Sequence, residues 1–249
     1  MKKTLLILLL FLSVSSFTFA QKSIFIPSRV GVSAGIYSSN IAFEHNYGSG
    51  LNDFLFTSGY TFGLQADWLI KKNHSISIEL AYSSQGQKHE DWKVPDDAYY
   101  YFQRTIRLNY FRLPISYKRV YSKNHGKIKL FYTAGIYLSM LQDAELTYTR
   151  RDALVDFVTA MTEKNEYADQ ITQPDHFTDL FQPIDAGIVL SWGIQYRIEE
   201  KIKLTSAVRW ELGMLDINDK DWRFPSKNFG YRGSVNSLLG IKLGLLYEL

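Results

Sequence analysis

Apolar residues recur at every second position in eight stretches of the chain, and this period of two is the signature of half-buried β-strands. The first stretch, 29–37, sets Val30, Val32, Ala34 and Ile36 against Arg29, Gly31, Ser33, Gly35 and Tyr37. The next two are 58–70 (Tyr60, Phe62, Leu64, Ala66, Trp68, Ile70) and 74–84 (Ile76, Ile78, Leu80, Tyr82). The stretch 103–119 changes phase: Ile106, Leu108 and Tyr110 share one parity, and Leu113, Ile115 and Tyr117 the other. One extra residue near Arg112–Pro114 would realign the apolar face, so the pattern predicts a bulge there. Alternation resumes over 127–141, 184–198 and 201–214 and runs to the last residue through Leu239, Ile241, Leu243, Leu245, Tyr247 and Leu249.

These runs exceed the usual strand of about 5–6 residues and reach the roughly 9–11 needed to cross a bilayer at a tilt. The connections alternate in length. Short ones fall at Lys71–Asn73, Tyr121–Gly126 and Glu199–Glu200, and long ones at 38–57, 85–102, 143–183 and 215–236. Short links thus gather at one end of the sheet and long ones at the other, as in outer-membrane barrels. The predicted fold is all-β: an antiparallel up-and-down transmembrane β-barrel of about eight strands. A soluble lipocalin-like barrel, with its apolar face inward, is the alternative.

If the apolar face meets lipid, the opposite face fills the lumen. Tyr60, Trp68, Tyr82, Tyr110, Tyr117, Trp192, Tyr196, Trp210 and Tyr247 then form interfacial girdles. The inward set contains Asp67, Glu79, Asp185, Arg197, Lys203, Arg209, Glu211 and Lys242, with Arg29, Lys129 and Glu248 near the ends. Both signs occur, so a lumen stapled by ion pairs is expected, with Glu79 pairing Arg209 or Lys242 near mid-depth. Eight strands leave an interior just wide enough for side chains, and no open pore is expected. Because every backbone group must be paired in hydrocarbon, the last strand is expected to close the barrel against 29–37.

The N-terminus adds a location. Lys2 and Lys3, the apolar run Leu5–Leu12, and Thr18 and Ala20 at signal-peptidase spacing predict a cleaved Sec signal over 1–20 and a barrel domain over 21–249. Without cysteine there is neither a lipoprotein anchor nor a disulfide. Loss of Lys2 and Lys3 lowers the net charge from +3 to +1, which gives no electrostatic case for nucleic acid.

Seven segments carry a family resemblance: "FGLQADW" (62–68), "IELAYSSQGQK" (78–88), "LNYFRLPISYK" (108–118), "TAGIYLSMLQDAE" (133–145), "DAGIVLSWGIQY" (185–196), "RWELGMLDI" (209–217) and "NSLLGIKLGLLYEL" (236–249). In order and spacing they resemble the PorT-type outer-membrane β-barrel family. The resemblance implies a Gram-negative outer-membrane protein whose namesake serves the type nine secretion and gliding machinery. It brings no catalytic motif. It also implies use of the outer-membrane assembly machinery, which reads a C-terminal strand, although Leu249 stands where an aromatic residue is usual.

Candidate chemistry is sparse. His45, His74, His89, His125 and His176 share no metal-ligand spacing. An enzyme at the barrel mouth would need His45, His89, His176, Asp91 and Asp175 to converge there. "DINDKD" (216–221) suggests a calcium loop, but Lys227 occupies the twelfth position, where a glutamate is required. "DAYYYF" (97–102) reads as the start of the outer girdle. In loop 143–183, Leu154, Phe157, Val158 and Met161 stand at helical spacing behind Asp152 as a cap. The expected function is a non-enzymatic structural or interaction protein without cofactor or metal. Its partners are the lipid bilayer and, through loop 143–183, a protein. A small channel or ligand-binding barrel is the alternative, and an outer-membrane enzyme ranks below both.

Overall fold

A computed structural model describes residues 26–42, 53–93, 100–121, 126–152, 177–220 and 233–249. In chain order the strands are β1 (Arg29–Ala42), β2 (Asp53–Leu55), β3 (Thr57–Lys71), β4 (His74–Lys93), β5 (Tyr100–Tyr121), β6 (Ile128–Asp152), β7 (Ile184–Arg197), β8 (Ile202–Gly213) and β9 (Val235–Glu248). All strands except the short β2 form one closed antiparallel barrel, in which β4 pairs with β5 and β9 returns to β1. That seam runs from Arg29 opposite Glu248 to Ala42 opposite Val235. Closure leaves no barrel edge unpaired, as hydrocarbon requires.

The alternation then acquires a physical meaning. Along β9, Leu239, Ile241, Leu243, Leu245 and Tyr247 are exposed on the outside, while Leu238, Gly244 and Leu246 are buried within. The outward row continues around the barrel through Val32, Ile36, Phe62, Leu64, Leu80, Ile136 and Val208. A contiguous apolar belt of this extent is not tolerated against water; it is the lipid-facing surface of a membrane barrel. The inward-facing core of a lipocalin-like barrel is thereby excluded.

The strand β5 corrects the sequence reading. Its alternation is unbroken: Ile106, Leu108, Tyr110 and Arg112 all point inward, and Phe111, Leu113 and Ile115 point outward. No bulge lies at Arg112–Pro114. The register shift is in the partner strand, where Asn109 faces Asp143 and Tyr110 faces Leu141, leaving Gln142 as the extra residue of β6. Tyr110 therefore belongs to the interior rather than to a girdle. Its environment explains the inversion. With Ile41, Ile106, Leu108, Ala144, Leu180, Phe181 and Ile217 it forms an apolar core inside the long-connection end of the barrel.

The predicted long loop 85–102 is largely strand as well. Gln85 to Lys93 pair with Leu108 to Tyr100, so this hairpin stands above the apolar belt. Side-chain bonds tie the end of β1 to it: Gln87 Oε1 accepts from Ile41 N at 2.9 Å, and Ser39 Oγ donates to Gly86 O at 3.0 Å. Tyr100–Phe102 begin β5, and 97–99 lie outside the described residues. Asp152, read from the sequence as a helix cap, is the last residue of β6, opposite Tyr100. The helical spacing at 154–161 and the signal segment 1–20 also lie outside the described residues.

Two inward glycines make room for tyrosines. Tyr37 folds over Gly35, and the Tyr137 ring lies over Gly187, its register partner on β7. A Cβ on Gly187 would stand 2.1 Å from Leu212 O and 2.8 Å from that ring. We expect Gly187→Val to destabilise the barrel by about 1–3 kcal/mol in urea unfolding from lipid vesicles. Gly126→Val, where nothing lies within 4 Å of the added Cβ, should stay within about 0.5 kcal/mol.

Candidate functional site

The interior concentrates the buried charge of the fold, arranged in layers. The central layer hangs on Glu79 of β4, which is 4% exposed. Its carboxylate accepts from Ser33 Oγ of β1 at 2.7 Å, Arg209 of β8 at 2.7 Å and Lys242 of β9 at 2.6 Å. Parity produces this meeting, since each residue is an inward position on a strand near the seam. Arg209 Nε also donates to Glu211 at 2.5 Å, and Glu211 forms an ion pair with Arg112 across the lumen.

Arg112 carries the network into the next layer. It donates to Ser139 Oγ at 3.1 Å and lies 4.1 Å from the centroid of Tyr137. Tyr137 donates through its hydroxyl to Asp185 at 3.2 Å, and Asn236 donates to the same carboxylate at 3.0 Å. Asn236 also reaches the Tyr110 hydroxyl at 3.3 Å, which joins the charged lattice to the apolar core above.

Toward the short-turn end, Lys118 donates to Asp67 at 3.1 Å, and Gln65 donates to the other Asp67 oxygen at 2.9 Å. Arg29 lies 4.0 Å from Asp67 and 3.8 Å from Glu248, and Glu248 also pairs with Lys203. Between this layer and the Glu79 layer is a cavity of about 40 Å³, lined by polar groups including Ser77, Ser116, Thr133 and Thr205. That space suits a few waters.

Of the eight charged residues read as a lumen network, Asp67, Glu79, Asp185, Lys203, Arg209 and Glu211 are buried inside, and Lys242 is half-buried beside Glu79. Arg197 is not among them. It ends β7 opposite Lys203 and is exposed at the short-turn rim, where water solvates the guanidinium. The sequence reading omits Arg112 and Lys118: Arg112 stands at the expected phase change, whereas Lys118 already shares the inward parity opposite Leu113, Ile115 and Tyr117. The continuous even positions Arg112, Pro114, Ser116 and Lys118 are the signal that places them.

The remaining candidates separate. His89 is buried on the inward face of β4, while His45, His176 and Asp175 lie outside the described residues. Asp216 accepts from the backbone of Asn218 and Ser234 at 3.2 and 2.9 Å, and Asp219 accepts from Gln182 at 2.9 Å. Asp216 and Asp219 thus brace a corner beside Ile217 of the apolar core. Among the described residues no cluster of His, Asp and Glu could hold a metal ion.

A closed eight-strand barrel with a lipid-facing apolar exterior and an ion-paired interior defines an integral outer-membrane protein. The chain belongs to the outer membrane protein beta-barrel domain family, whose model matches residues 19–219. No curated protein matches it. Solved structures that resemble it include Neisserial surface protein A, with a TM-score of 0.44 and 11% identity over 89% of this chain and 96% of that one. OprG from Pseudomonas aeruginosa gives 0.44 and 10% over 90% and 97%. The outer membrane enzyme PagL gives 0.35 and 12% over 88% and 99%.

Proposed function

We propose that this protein is a non-enzymatic, non-conducting outer-membrane module whose long-connection end engages a protein partner. The observation that carries this reading is the interlocked lumen. Glu79 is held from three strands, and the Arg112–Glu211 pair spans the space beside it. Above them the apolar core fills the same interior. Buried carboxylates and cations engaged in this way have little freedom to serve as acid, base or ion pathway. The resemblance of segments 62–68, 108–118 and 236–249 to the PorT-type family supports a secretion-machinery component as the finer assignment, exported by a cleaved signal over 1–20.

Two experiments test this. In planar bilayers the purified barrel should show no unitary conductance, and steady single-channel steps would instead support the small-channel reading. In cells, cross-linking of the full chain should capture a protein partner, and a chain lacking 154–175 should lose it. Capture unchanged by that deletion would move the contact away from the long connection.

A further inference from the structure

The outer surface at the short-turn end carries a charged row that the lumen does not use. Register places His74 of β4 opposite Arg119 of β5, and Arg119 opposite Tyr132 of β6. Arg119 shares its parity with Leu113, Ile115 and Tyr117, which point outward, and it is itself exposed. This guanidinium therefore leaves the barrel on the lipid side, just below the apolar belt.

Aromatic groups hold it in place. Arg119 lies 5.0 Å from the centroid of Tyr121, and Tyr132 is its register partner on β6. Tyr132 packs against Tyr121 at 5.7 Å and Tyr117 at 6.5 Å. Tyr117 in turn bonds the ring of His74. Lys71 and Lys72 in the adjoining turn and Lys127 before β6 are also exposed cations at this end. The lumen cations Arg29, Arg112, Lys118, Lys203, Arg209 and Lys242 each have a carboxylate partner; Arg119 has none within ion-pair distance among the described residues.

A planar guanidinium fixed at the lipid interface with several N–H groups free is matched by a phosphate oxyanion, which it binds bidentately. Flanking cations add attraction to anionic lipid, and the tyrosines sit at headgroup depth. We propose that the row His74–Arg119–Tyr132 binds the phosphate headgroup of an anionic phospholipid in the leaflet at the short-turn end.

The test uses the full barrel in detergent, titrated with phosphatidylglycerol or phosphatidylcholine and read by native mass spectrometry. The wild type should retain one phosphatidylglycerol in preference to phosphatidylcholine. Arg119→Gln should weaken that retention about tenfold, and Tyr132→Phe should weaken it by less. Arg107→Gln, on the outer face at the opposite end, should retain lipid as the wild type does. The mobility of unheated samples in SDS gels reports that each variant is a closed barrel. Equal retention by Arg119→Gln and the wild type would overturn the proposal. So would an equal loss in Arg107→Gln, no preference between the two lipids, or displacement of the lipid by millimolar inorganic phosphate.

Discussion

Replacing Glu79 by alanine should cost about 3–5 kcal/mol of barrel stability, measured by urea unfolding from lipid vesicles. Removal of this one carboxylate leaves Arg209 with only Glu211, and Lys242 with no anion in direct contact among the described residues. Two cations are then under-compensated in a closed interior, where an unpaired charge is far more costly than a missing pair is beneficial. The partners differ in a telling way. Lys242→Ala leaves Glu79 its bonds from Arg209 and Ser33, so its cost should fall near 1–3 kcal/mol, roughly the value of a charged hydrogen bond. Replacing Glu79, Arg209 and Lys242 together by apolar residues of similar volume should recover much of the loss, because fewer charges are stranded. If Glu79→Ala and Lys242→Ala cost the same, Glu79 is not the hub that the geometry describes.

The second large effect is on the lipid face. Leu243 is 52% exposed midway along the outward row of β9 and is flanked by Ile241 and Leu245. Leu243→Arg should cost about 2–4 kcal/mol, the range for a cation at the bilayer midplane. Gly244, one residue on, points inward, where an added Cβ would lie 2.7 Å from the Thr205 hydroxyl. Gly244→Ser should cost about 1 kcal/mol through crowding. Bilayer thickness separates the two mechanisms. Shorter acyl chains let the introduced guanidinium reach headgroups and should reduce its penalty, whereas the Gly244→Ser penalty should not move. Equal sensitivity of both variants to thickness would contradict the facing of β9.

Alternation made most of the barrel legible because both sides of the wall are uniform over the membrane: hydrocarbon without, ion pairs within. The strands β1, β3, β7, β8 and β9 follow one rule along the belt, and the inward parities of β4, β8 and β9 already put Glu79, Arg209, Glu211 and Lys242 on one surface. The rule fails where the surroundings change along a strand. Above the belt, the exterior of β5 meets water, and Ile106, Leu108 and Tyr110 turn inward to a core of their own. Apolar residues still alternate there, but on the opposite face, and the sequence alone records this as a phase slip. The hairpin over 85–102 was hidden for a related reason. Gln85, Gln87 and His89 are polar and buried, so neither face of that strand is apolar enough to announce itself. Arg197 shows the converse limit: parity gives direction, and depth decides whether a charge needs a partner.

The seam between β1 and β9 also bears on the order of folding. All other barrel pairings join strands consecutive around the wall and close in sequence, whereas this one joins the two ends of the domain. Its loop-closure entropy is the largest in the molecule, so it should form late. Until it does, β1 and β9 are open edges, and Glu79 of β4 cannot yet meet Arg209 and Lys242 from across the gap. The last hydrogen bonds and the central ion pairs therefore arrive together, which makes insertion and closure a single cooperative event with the charge lattice as its latch.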